Sequence, residues 1–263
     1  MKNVLITGAF GGMGKATVSL FKEQGYRVFA IDKREMPSED GVISISADLT
    51  NEESVCAAFS EVERLTDSLD AIIHFAGIYD LFSLVETDTD SFDRILSINL
   101  RGAFLINKTF LPLLKNGSRV LMTTSELAPL DPLPFTGIYA VTKAALDKYA
   151  YALAMELQLL GIKVSVLRAG AVRTDMLGAS TTALDRFCEK TELYSCNAKR
   201  FKGIVDRVEA RNVPPERIAK KCLSIIKKRH PAFAYSVNRN PLLILLNLLP
   251  KRMQLMMIKL ILK

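Results

Sequence analysis

Tyr139 and Lys143 lie four residues apart, so on a helix they share one face. A free phenol has a pKa of about 10 and is a poor base at neutrality. A neighbouring ammonium favours the phenolate, which would let one phenol give or take a proton near working pH. Lys143 could also hydrogen-bond a ribose hydroxyl. Such a pair is common on helices and proves little alone. Ser125, however, stands just past an apolar run, fourteen residues before Tyr139. If that run is a strand, the Ser125 hydroxyl emerges at the carboxyl edge of a sheet and could bond a substrate oxygen.

A second group of residues could hold phosphate. Thr7-Gly8-Ala9-Phe10-Gly11-Gly12-Met13-Gly14 falls between an apolar run and a helical pattern. Glycine allows a tight turn and a close backbone approach, and the helix start offers free N–H groups and partial positive charge. Strand, glycines and helix in that order predict a dinucleotide pyrophosphate site. Asp32 ends the next apolar run. A carboxylate there would accept bonds from both hydroxyls of an adenosine ribose and repel a 2′-phosphate. Lys33 and Arg34 follow and partly offset that repulsion. The balance predicts NAD(H) in preference to NADP(H).

The elements that must position these residues follow from periodicity. Strands are predicted over 2–7, 26–32, 42–46, 70–75, 119–124 and 162–168, with another near 233–237. Helices are predicted over 12–24, 52–65, 91–114, 138–160 and 215–228. Alternating strands and helices imply a parallel sheet with right-handed crossovers. Short, nearly all-apolar strands agree, because such a sheet is covered on both faces. No linker or repeat divides residues 1–263, so one doubly wound α/β domain is expected.

Composition narrows the classes. Of 263 residues, 49% are hydrophobic and 24% charged, which excludes a disordered chain. The four cysteines form no C-x-x-C pair, so no metal site is expected and reduced thiols in the cytoplasm are. The first residues enter an apolar run directly, so no secretory leader is expected. Charge is uneven. From Lys199 onward there are 16 Lys and Arg against 3 Asp and Glu, a net of +13, while the preceding residues carry −6. That asymmetry suits an anionic substrate, an anionic membrane or simply a solvated face. No helix-turn-helix, finger or stacking pattern accompanies it, so no nucleic-acid partner is expected.

Taken together, these motifs resemble the short-chain dehydrogenase/reductase family in its branch of about 250 residues. The resemblance covers residues 1 to about 230. It rests on Thr7-Gly8-x-x-x-Gly12-x-Gly14, Asp48-Leu49, Ala76-Gly77, Asn99, Ser125, Tyr139-Ala-Val-Thr-Lys143 and Gly170-Ala-Val-Arg-Thr174. It implies a Rossmann fold of about seven parallel strands and hydride exchange between nicotinamide and a secondary alcohol or ketone. Thr7, Gly8, Gly12, Met13 and Gly14 would shape the pyrophosphate loop. Asp48 and Leu49 would flank adenine, while Ala76 and Gly77 would let the cofactor lie close. Val172 and Thr174 would fix the carboxamide. Asn99 would hold a relay water linking Lys143 to solvent, Ser125 would polarise the carbonyl, and Tyr139 would transfer the proton. A cofactor-binding sensor or scaffold of the same fold would need none of these four side chains. The resemblance also implies a homodimer or homotetramer built on the helices near 91–114 and 138–160.

Three departures stand out. His74-Phe75 replaces the family's Asn-Asn before Ala76, and His74 reads as structural. Ala169 replaces the usual proline before Gly170, which would loosen that loop. The Ser125–Tyr139 spacing is one residue longer than is common, with three prolines between to absorb it.

Residues 175–212 show the least pattern, and the resemblance makes them a substrate lid. Met176, Leu177, Leu184, Phe187, Tyr194 and Phe201 among many basic residues suit a bulky hydrophobic substrate carrying an acid, such as a steroid acid or a fatty-acyl compound. The tail, 240–263, holds two apolar runs broken by Pro250-Lys251-Arg252. Each is too short to span a bilayer. Arg252, Lys259 and Lys263 could share one helical face, so an in-plane helix on an anionic membrane is one reading. Packing on the chain's own pocket or on a subunit partner is the other.

Overall fold

A computed structural model describes residues 1–263, except for the side chains of 175–181 and 209; Met176 and Leu177 thus lie outside the described side chains. Seven parallel strands form one sheet in the order β3-β2-β1-β4-β5-β6-β7. They are β1 (Lys2–Thr7), β2 (Tyr26–Asp32), β3 (Val42–Ser46), β4 (Leu69–His74), β5 (Leu114–Ser125), β6 (Lys163–Ala169) and β7 (Ala234–Val237). The order reverses between β1 and β4. A crevice therefore opens at their carboxyl ends, where doubly wound sheets bind ligands.

Helices cover both faces, which is why strands such as Val4–Thr7 are wholly buried. On one face lie α1 (Gly12–Glu23) and α8 (Pro215–Lys227), whose Phe21 and Ile218 are fully buried. On the other lie α2 (Glu52–Glu63), α4 (Gly102–Phe110) and α5 (Gly137–Leu157), which bury Val55, Phe110 and Leu146.

The region predicted as one helix over 91–114 is broken. It runs as α3 (Thr89–Leu96), a π-helical turn (Ser97–Arg101) and α4. Such a turn lodges an extra residue in a helix and recurs at functional sites; here it carries Asn99. Pro112 then tightens the chain into a 3₁₀ turn (Leu111–Leu113), and β5 starts at Leu114, five residues before the predicted Arg119.

The segment 175–212 is not patternless. It forms α6 (Asp175–Lys190) and α7 (Ser195–Glu209). In α7 the apolar residues Ala198, Phe201, Ile204, Val205 and Val208 follow helical spacing. Lys199, Arg200 and Lys202 among them dilute the signal. The tail forms α9 (Pro241–Asn247) and α10 (Lys251–Leu262). Leu262 joins Leu184 and Phe201 in a small core separate from the two that sandwich the sheet.

Candidate active site

The turn after β1 is built for close approach. Gly8 has φ +64°, and a Cβ there would meet the Ala76 nitrogen at 2.6 Å. A Cβ on Gly12 would meet Thr174 Cγ2 at 2.5 Å, and one on Gly14 would strike the Gly8 carbonyl oxygen. Gly11 caps α1 without a side-chain bond, and no acidic residue occupies its first turn. The N-terminal amides of α1 thus face the cleft with no carboxylate in their own first turn competing for them. Gly8, Gly12, Met13 and Gly14 line that cleft, as do Ala76, Gly77 and Thr174.

At the far end of the cleft stand Asp32, Asp48 and Leu49. The Asp32 carboxylate accepts the Phe10 amide at 2.9 Å and the Arg34 amide at 3.1 Å. Burial pushes this carboxyl up, but the Arg34 guanidinium and those two amides outweigh it and hold it below its ordinary range. Asp48 is brought down to about 2, chiefly by its bond from the Lys33 ammonium. Both carboxylates are therefore anionic acceptors. The open helix start, the glycine walls and the terminal carboxylate fit a dinucleotide. Arg94 and Ile98 also line the cleft; only the fold brings them there. Thr7 is fully buried below the cleft, where its hydroxyl accepts the Ala76 amide at 3.5 Å. It shapes the loop from beneath.

A second, largely apolar pocket adjoins the first, with Met13, Gly77 and Thr174 shared between them. Ser125, Tyr139, Lys143 and Val172 line it. Helix α5 delivers Tyr139 and Lys143 on one face, and the Lys143 nitrogen lies 5.7 Å from the Tyr139 ring centroid. Lys143 is buried and donates to the Thr123 carbonyl at 3.3 Å. Burial lowers its ammonium to about 8. Tyr139 moves the other way. Burial raises its phenol to about 12; a hydrogen bond from Ser125 opposes this and the charge of Glu126 adds to it. The expected fall in the Tyr139 pKa is thus not the outcome of this geometry, in which burial favours the protonated phenol.

Asn99 is buried and lines neither pocket. Its side-chain oxygen accepts the Ile78 amide at 2.8 Å and its amide donates to Thr142 Oγ1 at 3.1 Å. A Cβ on Gly77 would lie 3.2 Å from the Asn99 oxygen and 3.4 Å from the Lys143 nitrogen. The two side chains therefore flank the same glycine. His74 is buried against Asn107 at 3.0 Å, and burial lowers its imidazole to about 4. It lines neither pocket and acts as a core polar residue.

Glu126 is a pocket-lining residue that sequence reasoning missed. It is buried in the pocket wall, and Oε2 accepts the Asn240 amide at 2.5 Å. Burial raises its carboxyl, against the Asn240 amide and Arg239. Its signal was an acid directly after Ser125. A second missed feature is the Asp147–Arg168 pair at 2.7 Å, with Thr124 bonded to the same carboxylate at 3.2 Å. It braces the end of β5 just before Ser125. Among the described residues, no cluster of His, Cys, Asp or Glu could hold a metal.

Comparison with known proteins decides the family. Residues 2–185 match the short chain dehydrogenase family model. The oxidoreductase YbbO of Escherichia coli is 32% identical over 214 residues, covering 79% of this chain and 80% of that one. This chain belongs to the short-chain dehydrogenase/reductase family. Other relatives carry more specific names. A 3-ketodihydrosphingosine reductase of Bacteroides thetaiotaomicron is 25% identical over 89% of this chain and 87% of its own. An NADPH-dependent 1-acyldihydroxyacetone phosphate reductase of Schizosaccharomyces pombe is 29% identical over 69% of this chain and 65% of its own. A Francisella tularensis family member shares the fold, with a TM-score of 0.74, 23% identity and coverage of 90% and 97%.

Two family departures now have structural accounts. The Gly170 loop is tied down despite the missing proline: the Gly170 amide donates to Val237 at 2.9 Å, and Asn238 donates to Ala171 at 2.9 Å. A Cβ on Gly170 would strike the Asn238 carbonyl, so the glycine is needed for space. The Ser125–Tyr139 loop turns into α5 through two left-handed residues, Phe135 at φ 61° and Gly137 at φ 54°.

Proposed function

We propose that this short-chain dehydrogenase/reductase interconverts a secondary alcohol and a ketone on a bulky, lipid- or steroid-like substrate, using NAD(H) in preference to NADP(H). One observation carries the reading: Ser125, Tyr139 and Lys143 meet at the wall of an apolar pocket that adjoins a glycine-lined cleft ending in Asp32. A nicotinamide cofactor bound in the cleft gives or takes the hydride. Ser125 orients the substrate oxygen, and the protonated Tyr139 donates to it in reduction. In oxidation the same phenolate oxygen receives the proton, with Lys143 supplying positive charge beside it. Val172 and Thr174 suit the carboxamide end, and Asn99 the relay behind Lys143.

Leu133, Phe201, Ile204, Val205, Val208 and Leu243 supply apolar wall, which favours a hydrophobic chain or ring system. Glu126 beside Ser125 disfavours an acid near the reacting carbon. An acid group on the substrate would point outward to the basic lid. The names of the sphingoid and acyl-glycerone relatives agree with a lipid-like substrate. The anionic Asp32 favours NAD(H), although one of these relatives is NADPH-dependent. A homo-oligomer and a cytoplasmic location complete the reading.

The test is oxidation of NADH and of NADPH, followed separately, with long-chain keto lipids and steroid ketones. Turnover should prefer NADH, and Tyr139→Phe should lose at least about 100-fold. Asp32→Ser should shift preference towards NADPH. Turnover restricted to small polar ketones would overturn the substrate reading, and an unchanged Tyr139→Phe enzyme the catalytic one.

A further inference from the structure

We propose that the outward face of α9 and α10 docks in the plane of an anionic phospholipid bilayer. Only one side of the tail is satisfied by the protein. Gln254 and Leu262 of α10 are buried and Ile258 packs beside them, at spacings of four residues. Gln254 donates to Asp131 at 3.0 Å, and Asn197 donates to the Leu262 carbonyl at 2.7 Å. The opposite side is rich in large apolar side chains. Leu255, Met256 and Leu260 of α10 are 73%, 63% and 81% exposed. Along α9 and its end, Leu242, Leu245 and Leu248 recur every three residues at 65%, 61% and 75%. A soluble surface rarely gathers so many large apolar side chains without a partner.

Charge identifies the partner. After Glu216 the sequence contains no Asp or Glu and 11 Lys and Arg. Arg252, Lys259 and Lys263 stand among the exposed apolar residues. Apolar side chains that enter the acyl boundary beside cations that meet phosphate are the two requirements of an in-plane membrane helix. A second copy on this face would set basic residues against basic residues, so self-association is the poorer fit. No helix among the described residues is long and apolar enough to cross a bilayer, so the contact lies along the surface. Leu243, between the exposed leucines, lines the substrate pocket, which puts the pocket beside the docked face.

Co-sedimentation of the full chain with vesicles tests this without relying on turnover. The protein should pellet with phosphatidylcholine mixed with phosphatidylglycerol, and much less with phosphatidylcholine alone. High salt should weaken binding by roughly tenfold or more. The double variant Leu255→Glu, Leu260→Glu changes only exposed positions. It should stay in the supernatant with unchanged melting temperature and solution mass. If that variant misfolds, Arg252→Gln, Lys259→Gln, Lys263→Gln should lose the preference for the anionic vesicles while remaining folded. Wild type that stays in solution with anionic vesicles would overturn the proposal. So would a folded variant that pellets as well as wild type, or one whose solution mass falls, since the face would then belong to a second copy.

Discussion

At the residue scale the unusual pairing is a raised phenol beside a lowered ammonium. Tyr139 is held at about 12 and Lys143 at about 8, both mainly by burial. The protonated phenol persists across the neutral range, so ketone reduction should show no loss from Tyr139 ionisation between about pH 6 and pH 8. Alcohol oxidation needs the phenolate and should climb as pH rises. Glu126 contributes to the raised phenol, so Glu126→Gln should move that climb to lower pH, read from a kcat profile. A shift to higher pH would contradict the role given to Glu126. Much of this chemistry was legible in the sequence, because Tyr139, Lys143 and Ser125 keep fixed spacings along one helix and one strand end. The direction of the Tyr139 shift was not. It depends on the burial of both groups and on Glu126, none of which spacing reveals.

At the scale of elements, the loop between β5 and α5 stores local strain. Phe135 adopts a left-handed backbone that costs a non-glycine residue about 1 kcal/mol or more. Its ring packs 4.9 Å from Phe187, 5.2 Å from Tyr194 and 5.5 Å from Phe201, measured between centroids. Phe135→Ala keeps the strain and loses the cluster, and should lower stability by about 2–4 kcal/mol. Phe135→Gly loses the same contacts but relieves the backbone, and should recover about 1 kcal/mol of that. Urea unfolding of the two variants checks the order; equal stability would mean the backbone angle carries no strain. Nothing in Pro134-Phe135-Thr136 announces such a turn, just as nothing in Ser97–Arg101 announces a π turn. Both are imposed by packing against other elements. The strands were legible because burial on both faces makes them continuously apolar. Helix α7 was not, because its basic residues interrupt the stripe.

At the scale of the whole molecule, two apolar faces stand out in solvent among the described residues. One is the tail. The other lies on α4 and α5, where Phe104, Tyr151 and Met155 are 44%, 53% and 54% exposed. The second face fits a subunit contact. Wild type should sediment as a dimer or tetramer, and Phe104→Glu with Tyr151→Glu should reduce the mass without preventing cofactor binding. A monomeric wild type would exclude that assembly. The tail also reaches into the site from behind. Asn240 donates its backbone amide to Glu126, and the Asn247 side-chain oxygen accepts the Asp131 amide at 2.6 Å. Lys251 and Gln254 engage the same aspartate. The loop that carries Ser125 towards Tyr139 is therefore fastened by residues translated after every other part of the site. The dinucleotide cleft takes no lining residue from 240–254, whereas the substrate pocket takes Leu243. Losing those residues to a protease should therefore spare dinucleotide binding while opening the substrate wall.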